Sequence, residues 1–281
     1  MSESLRQGKQ IIRFTRLNRG LHFFMILSFL SLALTGMTVK FSYTGWARFL
    51  SHFFGGFEMA GYIHRFAAVI MVTVFLVHIT DLIRNKRKQV GGLKQLIIGP
   101  RSLLFNKKDL NDFIGSVKWF LGKGERPEYG RWTYWEKFDY FAVFWGMLVI
   151  GSTGFTLWFP EFFTQFIPGY MINVATIIHS DEALLATGFI FTVHFFNTHL
   201  RPEKFPIDVC IFTGRVPLEE FKLDRPAEYK ELVEKGELEN YIVEPYPEIV
   251  IKALTAFGWT VLIIGFSMIL WIIYAMIFAY R

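Results

Sequence analysis

Six of the seven histidines in this chain, His22, His64, His78, His179, His194 and His199, lie in or at the ends of apolar segments. His64 and His78 are fourteen residues apart, and His179 and His194 fifteen. On an α-helix fourteen residues turn a side chain by about −40° and fifteen by about +60°, so each pair lies broadly on one face, about 21–23 Å apart along the axis. Imidazole is a common axial ligand to haem iron. Two facing helices of this kind carry the ligands for two haems, one near each side of a bilayer. A single intramembrane histidine can instead hydrogen-bond a carbonyl on a neighbouring helix. Two pairs at compatible spacing would require that coincidence to repeat, and ionisable side chains inside a membrane are costly and usually functional.

Other redox centres are excluded by composition. Cys210 is the sole cysteine. The chain therefore has no internal disulfide, no Cys-x-x-Cys-His attachment site for c-type haem, and too few thiols for an iron–sulfur cluster. A redox centre here must be held noncovalently, mainly by histidine. This gives an expectation of two bis-histidine haem b groups.

The elements that position these residues are transmembrane helices. Apolar residues make up 52% of the chain, and five stretches reach the ~20 residues needed to cross about 30 Å of hydrocarbon. They are residues 21–39, 61–83, 138–159, 172–197 and 249–280. The last is long enough to tilt or to extend past the bilayer. Arg13, Arg16 and Arg19 precede the first span, but no small-residue cleavage site follows it, so it does not read as a cleaved signal. The fold class expected is an all-α membrane protein: a four-helix haem-binding bundle over residues 1–200, an acidic excursion over 201–248 and a fifth transmembrane helix over 249–281. No internal repeat is evident.

Lysine and arginine set the expected orientation. Arg6, Lys9, Arg13, Arg16 and Arg19 precede the first span, and the second connection carries Arg84, Lys86, Arg87, Lys88, Lys94, Arg101, Lys107 and Lys108. The first connection has only Lys40 and Arg48, and the third has neither residue type. The positive-inside rule places the N-terminus in the cytoplasm and the C-terminus outside, in the periplasm of a bacterial cytoplasmic membrane. This topology accounts for the net charge of +6 without a nucleic-acid partner.

The connections have distinct characters. Residues 41–58 read as a short amphipathic piece at the membrane interface, and His52 within it as a surface residue. Pro202, Pro206, Pro217 and Pro226 punctuate the acidic excursion, where 227–236 is a candidate short helix. The excursion is suited either to holding a partner subunit or to covering the helix ends. Gly36, Ala67, Ala68, Gly151, Gly154, Ala186 and Gly188 leave room in the spans for a macrocycle or for ordinary helix contact. Arg65, beside His64, is placed to pair with haem propionates or to reach lipid headgroups.

Depth sorts the histidines. His64 and His179 fall near the outer face and could clamp one haem. His194 falls near the inner face, where both His22 and His78 compete to be its partner, and the spacing favours His78. His199, five residues past His194 and about 140° around an α-helix, lies beside Asn197 and Arg201. It suits a quinone or propionate contact, or plain interfacial polarity.

Across residues 13–201 the chain resembles the cytochrome b subunit of membrane-bound formate dehydrogenase and nickel–iron hydrogenase. The matching residues are Leu-Asn-Arg-Gly-Leu-His-Phe-Phe (17–24), Leu-Ala-Leu-Thr-Gly (32–36), Gly-Tyr-Ile-His-Arg-Phe (61–66), Ile-Ile-His-Ser (177–180) and Thr-Val-His (192–194). The resemblance implies His64 with His179 on one haem and His22 with His194 on the other. It also implies a quinone site around His194, Asn197 and His199. His78 has no counterpart there, and the fourth-span spacing is fifteen where the family has fourteen. The two spaced pairs are also similar to the dihaem cytochrome b of quinol–cytochrome c complexes, and the tail to cytochromes b that accompany multihaem cytochromes c.

The expected function is electron transfer between the quinone pool and a redox partner subunit, an iron–sulfur protein or a multihaem cytochrome c. One rival class is a transporter using histidine relays, which the near absence of mid-membrane carboxylates disfavours. The other is a haemless membrane anchor, which leaves the matched histidines unexplained.

Overall fold

The computed structural model describes residues 8–89, 91–205 and 207–279. Arg6 and Pro206, named above, and the end of the expected fifth span, 280–281, lie outside them. Five helices are long and apolar enough to cross a membrane: Arg16–Lys40, Phe57–Gln89, Tyr134–Trp158, Tyr170–Leu200 and Glu248–Ala279. The chain is an all-α, multi-pass membrane protein. Each helix matches one expected span, and the second and fourth run several residues further than their apolar stretch. Outward faces carry Phe66, Val69, Leu76, Leu148, Leu185 and Leu270, all more than half exposed, as hydrocarbon surroundings permit.

We label α1 Arg16–Lys40, α2 Gly45–Phe54, α3 Phe57–Asp81, α4 Lys107–Phe120, α5 Tyr134–Trp158, α6 Tyr170–Phe189 and α7 Glu248–Tyr274. The regular helix gives way to π-helical turns at Leu82–Lys86 after α3, and at Ile190–His194 and Phe196–Leu200 after α6. The expected interfacial piece is α2, capped by Thr44, whose side chain accepts the Ala47 N–H, and closed by Gly55. Phe49 and Phe53 point outward from it, and His52 is exposed as expected.

The chain divides into two units. The bundle unit comprises residues 21–76, 142–200 and those from 256 onward. Within it, α7 buries Gly258, Leu262, Gly265, Met268 and Ile272, a single helical stripe. A Cβ on Gly265 would lie 2.6 Å from Phe191 Cδ1, so glycine lets the two backbones approach closely. Trp271 stacks on Trp46 at 5.6 Å and Phe257 packs on Phe23 at 5.6 Å. The fifth helix is thus integral to this unit.

The mixed unit comprises the N-terminal residues up to 20, with 77–141 and 201–255. It contains a three-stranded antiparallel sheet of β1 (Gln10–Ile12), β2 (Arg215–Pro217) and β3 (Ile242–Val243), with β1 in the centre. The acidic excursion is therefore completed by the N-terminal segment. Ile11 enters a core with Cys210, Val216, Phe221 and Leu232, while its neighbour Ile12 is exposed. Gly214 has φ +75°, its carbonyl accepts the N–H groups of Arg13 and Phe14, and a Cβ there would sit 2.6 Å from the Phe14 carbonyl oxygen. Glycine is required on both conformational and steric grounds. The expected helix at 227–236 is present as Pro226–Glu234.

Beneath this core lies a buried ion network. Glu228 binds Arg13 at 3.1 Å and Arg131 at 3.2 Å, and Arg225 binds Glu136 at 2.8 Å. Each of Arg13 and Arg131 also donates to the other's carbonyl. Burial, with Arg13 alongside, holds the Arg131 guanidinium down to about 10. Burial, with Asp208 nearby, pushes the Cys210 thiol up to about 12. Because the thiolate is the reactive form, Cys210 is expected to resist maleimide at pH 8 in the folded protein and to react fully in SDS. Stoichiometric labelling before denaturation would contradict this placement.

Candidate functional site

Thr35 and Thr153 begin the construction. In an apolar helix a threonine hydroxyl donates back to the carbonyl four residues earlier. Thr35 Oγ1 does so to Ser31 and Thr153 Oγ1 to Val149, each at 2.6 Å. With its proton committed, each hydroxyl offers only a lone pair to a neighbour. Thr35 Oγ1 lies 2.9 Å from His64 Nδ1, so the imidazole is the donor. His179 Nδ1 lies 3.0 Å from the Ile150 carbonyl and 3.3 Å from Thr153 Oγ1. A carbonyl only accepts, so this Nδ1 also carries the proton. Both rings are held in the tautomer with a bare Nε2, the form that ligates a metal.

The next residue in each helix is a glycine under the same ring. A Cβ on Gly36 would lie 3.3 Å from His64 Cε1, and one on Gly154 would lie 2.8 Å from His179 Cε1. The two rings lie edge to face at 6.2 Å between centroids, with an interplanar angle of 72°. With metal–nitrogen bonds of about 2.0 Å, two imidazoles that shared one metal ion would have ring centres separated by roughly this much. Donor type, tautomer and spacing therefore fit a bis-histidine haem.

These seats repeat. Thr35-Gly36-Met37-Thr38-Val39-Lys40-Phe41 and Thr153-Gly154-Phe155-Thr156-Leu157-Trp158-Phe159 share Thr-Gly-x-Thr-x-x-Phe at an offset of 118. The helices carrying them, α1 and α5, each have 25 residues and begin at the same offset. The chain thus carries the same Thr-Gly step on two helices, which the sequence reading did not single out. At this offset His22 corresponds to Tyr140.

A second group forms around His22, which lies within electrostatic reach of both His194 and His199. His22 Nδ1 is buried and, among the described residues, has no hydrogen-bond partner, an arrangement native proteins seldom leave unused. The π-helical turns correct the expected 140° separation of His194 and His199. A turn closed by i→i+5 bonds returns residues five apart to within about 50° of each other. His194 and His199 both pack beside Phe195, at 6.4 and 6.3 Å. Asn197 is half-buried in the same stretch.

His78 has a different partner. Its Nε2 lies 2.9 Å from the Tyr140 hydroxyl, so the nitrogen suited to an axial bond is already engaged. Arg65 is exposed, with its guanidinium 5.7 Å from the centre of the Tyr62 ring. Among the described residues no group of three or more His, Cys, Asp or Glu is arranged around a metal ion. Any metal at these sites would draw on two protein ligands, as an axially ligated haem does.

Thr35, Thr153 and Tyr140 are the residues that the sequence reading did not assign to the site. The signal that could have found them is the Thr-Gly step 118 residues apart, each copy preceding a histidine-bearing helix. No family model matches the chain, and no curated protein matches it.

Proposed function

We propose that the chain is a membrane dihaem cytochrome b linking the quinone pool to a redox partner subunit, an iron–sulfur protein or a multihaem cytochrome c. The observation that carries this reading is the His64–His179 pair at 6.2 Å, each ring fixed through Nδ1 over a glycine. Haem b, when bound, supplies reversible one-electron chemistry. His64 and His179 hold one group. His22 and His194 hold the other, a choice supported by the unsatisfied His22 nitrogen and by the engagement of His78 with Tyr140. Arg65 is available to propionates on the first group. His199 and Asn197 orient a quinone headgroup. The protein lies in a bacterial cytoplasmic membrane with its N-terminus in the cytoplasm and its C-terminus in the periplasm, as the lysine and arginine distribution supports.

Purified protein is expected to be red, with a dithionite-reduced α-band and about two b-type haems per chain. His22→Ala should remove one of them and His78→Ala neither. A colourless but correctly folded preparation would refute the proposal. Loss of haem from the His78 variant with retention in the His22 variant would reverse the assignment of the second site.

A further inference from the structure

Helix α4 is built inside out. Three of its polar residues face the protein: Asp109 and Asp112 are buried, Asp109 pairs with buried Lys137 at 2.8 Å, and Ser116 shares a 2.7 Å hydrogen bond with the Tyr129 hydroxyl. Asn106 and Asp109 close a capping box at its start. Its apolar residues face outward. Leu110, Phe113, Ile114, Val117 and Leu121 follow helical spacing, and with Phe120 they are 44 to 85% exposed. Exposed Leu93, Ile98, Leu104 and Phe105 extend the apolar surface before the helix. The mixed unit has its own core around Ile11 and Phe221, so this stripe is not a core left incomplete. A continuous apolar stripe on an otherwise well-satisfied helix marks contact with an apolar medium or partner.

Charge identifies which. Residues 84–131 contain twelve Lys and Arg against four Asp and Glu, and Lys107, Lys118 and Lys123 stand exposed around the stripe. The segment is also tethered to the bilayer at both ends, because spanning helices end at Gln89 and begin at Tyr134. Apolar residues rimmed by lysines on such a tether match a helix lying in the headgroup region of an anionic leaflet. We propose that α4 and the segment from Leu93 to Phe105 form a monotopic surface that binds anionic lipid. The surface does not depend on haem.

The test uses the full chain carrying Leu121→Cys, labelled with an environment-sensitive fluorophore, since Cys210 is buried. It is reconstituted in phosphatidylcholine with and without phosphatidylglycerol. A label at Glu234→Cys, on an exposed helix end, serves as the reference. The expected result is a blue shift and loss of most iodide quenching at position 121, deepened by phosphatidylglycerol, with position 234 remaining quenchable. Reversing Lys118→Glu and Lys123→Glu together should abolish the phosphatidylglycerol effect while leaving haem content unchanged. Solvent-like emission with full iodide quenching in both lipids would overturn the proposal. Protection that appears only when an acidic partner protein is added would also overturn it, in favour of a protein-docking face.

Discussion

Replacing His179 with alanine is expected to leave the chain with one haem instead of two, cutting the reduced α-band by about half. His64→Ala should do the same, because in the proposed site each ring would supply one nitrogen. The seats predict a graded series beneath these two. Gly154→Ala sets a methyl 2.8 Å from His179 Cε1, so the imidazole must shift from its seat, and should deplete the same haem severely. Gly36→Ala, at 3.3 Å, should be milder. Thr35→Val and Thr153→Val remove an acceptor from Nδ1 without filling space, and loss of such outer contacts weakens metal affinity by about 10–100-fold. His179 keeps the Ile150 carbonyl and His64 the Leu32 carbonyl as a second acceptor, so neither ring is left without one and both threonine variants should be milder than the histidine variants. Haem titration and redox potentiometry of the six variants check the order. Two haems retained in both histidine variants would remove the basis of the site.

The second large effect concerns folding. Glu228→Leu is expected to destabilise the mixed unit by about 3–5 kcal/mol, the usual cost of breaking a buried ion pair from one side. Glu228 is 5% exposed and is shared by Arg13 and Arg131. Without it two guanidiniums face each other with little water to screen them. Adding Arg13→Met should recover part of the loss, because the penalty comes from uncompensated charge more than from missing attraction. Hydrogen exchange at Ile11, the central-strand residue over this network, reads the effect directly. Protection at Ile11 that is unchanged in Glu228→Leu would show the network to be energetically idle.

The spanning helices and the histidines were legible in the chain because hydropathy and the scarcity of ionisable residues in apolar runs are strong signals. Thr35 and Thr153 were not, since a threonine in a span is tolerated anywhere its hydroxyl can bond back to its own helix. The shared Thr-Gly step hid for a related reason. Lipid accepts Leu, Ile, Val and Phe interchangeably, so the residues around each step need not match except where a side chain touches an imidazole. The small sheet escaped because its strands, two or three residues each, come from segments about 200 residues apart and show no periodicity. The outward stripe of α4 has the spacing of any amphipathic helix, and only its contacts reveal which face is turned away from the protein.

The wide turn at Ile190–His194 changes what the odd spacing of fifteen means. An extra residue in a regular helix rotates everything after it by about 100° and would swing His194 away from His22. Here the Phe195 N–H bonds back to the Ile190 carbonyl, five residues earlier, and the additional residue is absorbed within one turn. Phase is thereby preserved although length is not. Fourteen in the third helical element and fifteen in the sixth are then one register written with two residue counts, and a fixed-gap comparison of the two histidine pairs counts as a difference what the backbone has cancelled.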